Sequence, residues 1–196
     1  MNKNTNVKTL VQLALLTAIE LVMFLTPLGY LKIGVVSITF MAIPVVIGAI
    51  SIGPAAGAFL GLVFGITSFS QCFGADAFGT TLFNINAFYT AFMCLVPRVL
   101  MGWLSGLIFK GIKKSRAGET AAAFIASFSG SALNTILFVG SLIILFGKTD
   151  YIMSFGDGII NIIGVLVTFN TIIEAVACTI IGGAISKAVL KYKAKG

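Results

Sequence analysis

Histidine is absent from the 196 residues, and only 10% of them are charged. Without histidine the chain lacks the commonest acid–base group and metal ligand. No GxxxxGK[ST] phosphate loop occurs, which excludes ATP hydrolysis by that route, and there is no GxSxG nucleophile elbow. The three cysteines, Cys72, Cys94 and Cys178, show no metal or redox spacing. Cys94 and Cys178 fall within apolar runs, where cysteine serves as a small packing residue. No catalytic set, metal site or cofactor is expected, and the chain reads as something other than an enzyme.

The shortage of charge is as informative. A soluble domain carries about 25% charged residues, whereas this chain is 58% hydrophobic and could not cover its own surface with polar groups. Lipid must be its solvent. Six apolar stretches can each cross a hydrocarbon core about 30 Å thick: Thr9–Thr26, Val35–Ile52, Pro54–Phe73, Ile85–Phe109, Thr120–Phe146 and Ile159–Ala188. Runs such as "IPVVIGAI" and "TILFVGSLIILF" do not alternate as barrel strands would. The expected fold is an all-α integral membrane protein, one six-transmembrane-helix bundle over residues 1–196, with only a tight "SIGP" turn between its second and third spans.

The 13 Lys and Arg orient that bundle. Lys3 and Lys8 precede the first span, Lys110, Lys113, Lys114 and Arg116 follow the fourth, and Lys187, Lys191, Lys193 and Lys195 follow the sixth. Six spans place these clusters on one side, and positive charge gathers in the cytoplasm, so both termini are expected there. The net charge of +7 is this topological signal, with some attraction to anionic lipid, and not a nucleic-acid footprint. The first apolar run is long for a signal-peptide core and lacks a small-residue cleavage site, so it is expected to be retained.

On the outer face, "PLGYLKIG", "QCFGADAFGTTLFNIN" and "FGKTDYIMSFGDG" mix aromatic and polar residues, as a mouth and lid would. Aromatic residues sitting at the lipid headgroups would give the same composition. In the third span Gly53, Gly57, Gly61 and Gly65 recur every four residues, stripping one helix face to backbone for close approach by a neighbour. Ala14 and Ala18 share that spacing in the first span; they either pack internally or dock another membrane protein.

Three charges lie deep in the spans. Glu20, Arg98 and Glu174 each sit about twelve residues from a cytoplasmic lysine, roughly 18 Å at 1.5 Å per residue. Intramembrane charges at one depth normally face the interior and pair, so Arg98 is expected to pair with Glu174, Glu20 or both. That pairing is either a structural clamp or part of a site for an anionic group. Asn86, Asn134 and Asn170 are further polar residues, and Asn170 shares a helix face with Glu174 four residues on. Amides converging below aromatic loops suggest an outward-opening pocket for a small polar molecule, although they also serve as interhelical hydrogen-bond partners.

The Ala14/Ala18 pair, "IPVVIGAISIGPAAGAFLGLVFGITS", "VPRVLMGWLSGLIF", "LNTILF" and "NTIIEA", in that order along nearly the whole chain, resemble the substrate-binding S-components of bacterial energy-coupling-factor (ECF) vitamin transporters. The wording is closest to pantothenate-type members. The resemblance implies capture of a water-soluble vitamin from outside by a subunit of the cell membrane. A membrane coupling protein (T-component) and two cytoplasmic ATPase subunits then energise its toppling within the bilayer. It implies docking through Ala14 and Ala18, and a ligand site among the loop holding Tyr30, Asn86, Arg98, Asn134, Asn170 and Glu174. Pantothenate is the first expected ligand because an anion suits Arg98; riboflavin is the second, because a Phe-rich loop can stack a flat ring. The alternative function is an independent proton-coupled carrier of a small polar solute, using Glu20 or Glu174.

Overall fold

The computed structural model describes residues 3–27, 29–31, 38–114, 118–156, 161, 164 and 169–193. Helix α1 (Lys3–Leu25) leads to two short strands, β1 (Tyr30–Leu31) and β2 (Ile38–Thr39), paired antiparallel with Tyr30 opposite Thr39. Helices α2 (Ala42–Ser51), α3 (Pro54–Gln71), α4 (Ala77–Ile85), α5 (Ala87–Lys113) and α6 (Gly118–Phe146) follow. A single turn, α7 (Asp150–Met153), precedes α8 (Phe169–Ala177), which runs through a π-helical turn, Cys178–Gly182, into α9 (Gly183–Lys193).

Among the described residues, four helical stretches are long and apolar enough to cross a membrane: Val7–Leu25, Ala87–Lys113, Gly118–Phe146 and Thr171–Tyr192. Their outward side chains, among them Leu10, Leu25, Ile136, Ile144 and Ile180, are exposed, an arrangement water would not tolerate and lipid does. Hydroxyls inside the helices bond back onto their own backbone, as Ser105 does to Met101 and Ser127 to Ala123. That satisfies them without water.

Helix α2 is apolar on all sides and buried from Ala42 to Ile50, so it forms the centre of the bundle. Its ten residues are fewer than the span expected from Val35. Ile38 and Thr39 are extended, and positions 32–37 lie outside the described residues. A short apolar run reads the same as strand or helix; pairing with β1 decides it here. The "SIGP" turn is as tight as expected: Gly53 takes φ +144°, open to glycine alone in practice, and Pro54 starts α3. The stretch after α3, read as part of a mouth and lid, contains α4, and Asn86 separates α4 from α5.

The most extensive helix–helix contact is α3 against α5. A methyl group at Gly57 would overlap the Gly102 carbonyl, one at Gly61 the Arg98 carbonyl, and one at Gly65 would sit 3.0 Å from the Cys94 carbonyl oxygen. The four-residue glycine spacing is therefore an internal seam between backbones.

Two apolar clusters stand above and below one another along this seam. One surrounds α2 and includes Leu60, Phe64, Met101 and Ala126. The other joins α4 and α7 to the ends of α3, α5 and α6 through Cys72, Phe78, Leu82, Met93 and Phe146. A cavity lies where they meet.

Candidate functional site

The cavity has a volume of about 110 Å³, and six parts of the chain line it. From α3 come Phe64, Ser68 and Gln71 at i, i+4 and i+7, one helix face. Helix α5 gives Cys94 and Arg98, α6 gives Asn134 and Phe138, and α8 gives Thr171 and Glu174, each pair one turn apart. Tyr30 and Thr39 arrive from the β1–β2 pair, while Cys72, Asp76 and Phe78 form the wall next to the second cluster.

Arg98 is buried, and its setting begins with its neighbour. Pro97 lies inside α5 and has no N–H to give to the carbonyl four residues earlier, that of Met93. The Arg98 guanidinium donates to that freed oxygen through Nη1 at 2.7 Å. It also lies 4.6 Å from the centroid of Phe138 and 5.5 Å from that of Phe64, within cation–π range. Its Nε has no hydrogen-bond partner.

The expected ion pair is absent. Among the described residues the one ion pair is Lys113–Glu119 at an exposed position. Equal depth along the helices does not fix rotation about them, and here the carboxylates turn elsewhere. Glu20 is fully buried with neither oxygen hydrogen-bonded, and it does not line the cavity. Glu174 does line it, but its Oε1 accepts the Thr39 backbone N–H at 2.6 Å. That bond ties β2 to α8 and holds the strand pair beside the cavity. Arg98 thus remains a permanent cation in a largely apolar wall.

Tyr30 reaches the same space from β1, its hydroxyl 3.3 Å from that of Thr67. Burial pushes its phenol up to about 12, against smaller lowering by the Thr67 contact and the Arg98 charge. It therefore keeps its proton at neutral pH. Asn134 is buried in the cavity wall, and its Oδ1 has no partner, so a donor is wanted there. Asn86 is not among the lining residues. Its Oδ1 instead accepts the Tyr89 N–H at 3.0 Å and caps α5, a use that Asn at a helix start commonly has. The Asn170 side chain lies outside the described residues.

Sequence reasoning overlooked Ser68, Gln71, Asp76 and Thr135 as lining residues. The polar face Ser68–Gln71 was available as a signal at the end of an otherwise apolar span. Of the three rings in the Phe-rich loop, Phe78 lines the cavity and Phe73 and Phe83 do not. Phe69, Phe73 and Phe83 pack on one another with centroids 4.9–5.9 Å apart, and none of them lines the cavity. Ala14 and Ala18 are exposed on α1 beside exposed Leu10, Val11, Leu15 and Val22.

A bundle of lipid-facing helices around a cavity with a buried cation on its wall suits a membrane-embedded binding subunit. Residues 8–185 match the family described as ECF transporter, substrate-specific component. The pantothenic acid transporter PanT of Lactococcus lactis subsp. cremoris (strain MG1363) is 32% identical, the alignment covering 79% of each chain. The pantothenate transporter PanT of Leuconostoc mesenteroides subsp. mesenteroides is also 32% identical, over 93% of this chain and 92% of that one. The chain belongs to the substrate-specific components of ECF transporters. It is a transport subunit of a membrane protein complex, not an enzyme, and such components work with a coupling protein and ATPase subunits.

Proposed function

We propose that this chain captures pantothenate from the outer side of the cell membrane, with six spans and both termini in the cytoplasm. The observation that carries the reading is Arg98, a buried guanidinium on the cavity wall with no carboxylate in direct ion-pair contact. An anionic ligand supplies the missing partner, and a charge-assisted hydrogen bond to it is the strong kind. Asn134, with its unpartnered oxygen, and Tyr30, Ser68 and Gln71 around the same cavity suit the amide and hydroxyl groups of such a ligand. The names of the two relatives point to the same vitamin. Riboflavin fits less well, because two of the loop's three rings, Phe73 and Phe83, pack on each other away from the cavity and its ring system has no carboxylate for Arg98.

Calorimetry on the detergent-purified protein tests this with pantothenate and its primary-alcohol analogue, which differ in the carboxylate. A hydrogen bond to a charged group contributes up to about 3 kcal/mol, so the alcohol should bind on the order of 100-fold more weakly. Equal affinities would remove Arg98 from ligand recognition, and no binding of pantothenate would remove the vitamin.

The energising partners are a transmembrane coupling protein and two cytoplasmic ATPase subunits, docked through the exposed Ala14–Ala18 face of α1. Replacing both alanines with tryptophan puts bulk where a partner helix must approach closely. Cells carrying the double variant and the partner subunits should lose uptake of labelled pantothenate, while the purified variant binds as the parent does. Loss of binding by the purified protein would show that the pair supports the bundle itself. Retained uptake would place the docking face elsewhere.

A further inference from the structure

Two of the three cysteines stand together on the cavity wall, and nothing in ligand capture requires them. Cys72 caps the C-terminus of α3 and Cys94 lies in α5, yet their sulfurs are 3.9 Å apart. Helical side chains lean toward their own N-terminus. Because α3 and α5 run antiparallel along the glycine seam, the two thiols lean toward each other from opposite directions. Both are free, both are buried, and both line the cavity. A small molecule inside the cavity therefore meets the pair directly. Arg98, one turn beyond Cys94 on the same helix face, brings a positive charge near the pair, and the Asp76 carboxylate lies on the same wall.

We propose that Cys72 and Cys94 are a modification site, an oxidisable dithiol that takes small disulfides through the cavity, and that closing it to a protein disulfide weakens ligand capture. In the first step one protein thiolate attacks a sulfur of the small disulfide, forming a mixed disulfide and releasing one small thiol. The second protein thiol then attacks the protein sulfur of that intermediate and releases the other small thiol. The two protein thiols lose two electrons and two protons in all, and the small disulfide gains them. The bond brings the sulfurs from 3.9 Å to about 2 Å.

The movement falls on the turn that begins at Cys72, because Cys94 is held inside α5. That turn leads to Asp76, whose carboxylate accepts the Gly79 N–H at 2.7 Å and starts α4. Gly79 itself lies against the Cys72 sulfur, where an added methyl would sit 2.7 Å away. Asp76, Phe78 and Gly79 all line the cavity, so drawing Cys72 toward α5 displaces one wall of it. Cys178 is a built-in control: its thiol bonds the Ser127 carbonyl at 3.4 Å and it is not among the lining residues.

The weakened capture rests on the reading that the cavity holds pantothenate, whereas the cross-link does not. The full-length protein in detergent is treated with 2-hydroxyethyl disulfide, mapped by peptide mass spectrometry, and titrated with pantothenate before oxidation, after it, and after reduction with dithiothreitol. A Cys72–Cys94 link should form while Cys178 remains open to alkylation in the unfolded protein. Affinity should fall by at least about tenfold and return on reduction. Cys72→Ser, compared only with itself, should show no change of affinity on oxidation. If Cys72 and Cys94 remain free thiols, the dithiol is refuted whatever the ligand result. A complete link with unchanged affinity overturns the effect on capture. A reduced protein that ignores pantothenate overturns the vitamin and with it the effect on capture, while the mass map still decides the dithiol.

Discussion

Arg98→Met is expected to abolish pantothenate binding at micromolar ligand while leaving a folded protein. Methionine keeps an unbranched chain between Phe64 and Phe138 and removes the charge. The losses to folding are the bond to the Met93 carbonyl and the two ring contacts, about 1–2 kcal/mol each. Against them stands the removal of a buried cation that has no carboxylate in direct ion-pair contact, and a buried charge carries a desolvation cost of several kcal/mol. The two sides are of similar size, so the thermal midpoint in detergent should move by only a few degrees.

The binding loss has no such offset. The alcohol analogue completes the test: the parent should favour the carboxylate, and the Arg98→Met protein should bind both equally weakly. A variant that melts far below the parent would give Arg98 a structural role. One that binds pantothenate normally would leave the anion site unassigned.

This expectation differs from the one the sequence supports, and the difference shows where sequence reading stops. Rise per residue places Glu20, Arg98 and Glu174 at one depth, and from depth alone a shared ion pair follows. Depth is one coordinate of three. Rotation of each helix sends Glu20 away from the cavity and gives Glu174 to the Thr39 N–H, so Arg98 is left to the Met93 carbonyl. That last contact was in principle legible, because a proline at position 97 frees the carbonyl at 93 by helix geometry alone.

Local rules carried well elsewhere. Composition gave the solvent, Gly53–Pro54 gave the tight turn, and the spacing of Gly57, Gly61 and Gly65 gave a bare helix face. Arg98, Asn134, Glu174 and Tyr30 do meet in one cavity. Asn86 does not, because a helix start claims its side chain before any ligand can. Strand β2 was hidden in an apolar run, and α4 in a loop where Asp76 and Asn86 are caps. The Cys72–Cys94 contact joins residues 22 apart through the antiparallel seam, and no local spacing rule reaches that far.

The same seam supplies the largest expected effect on folding, from one of the smallest possible substitutions. In an open helix Gly→Ala stabilises by up to about 1 kcal/mol, since glycine loses more backbone freedom on folding. Gly111 and Gly140 have nothing within 4 Å of where the methyl would go, so alanine at either should hold or raise the thermal midpoint. At Gly61 the methyl would overlap the Arg98 carbonyl, and at Gly57 that of Gly102. These obstacles are backbone atoms, which no rotamer change can move, so α3 and α5 must separate. Overpacking of this kind costs about 1–3 kcal/mol and at times more, so the sign of the Gly→Ala effect should reverse. Gly61→Val, with two further methyl groups at the same point, should leave little folded protein in detergent. The contact at Gly61 is also the backbone of Arg98, so a Gly61→Ala protein that still folds should bind pantothenate more weakly than its melting shift alone explains. Thermal melts and calorimetry on Gly61→Ala beside Gly140→Ala separate the two contributions. If these variants melt and bind alike, the seam is looser than its glycines imply and Arg98 is positioned by something else.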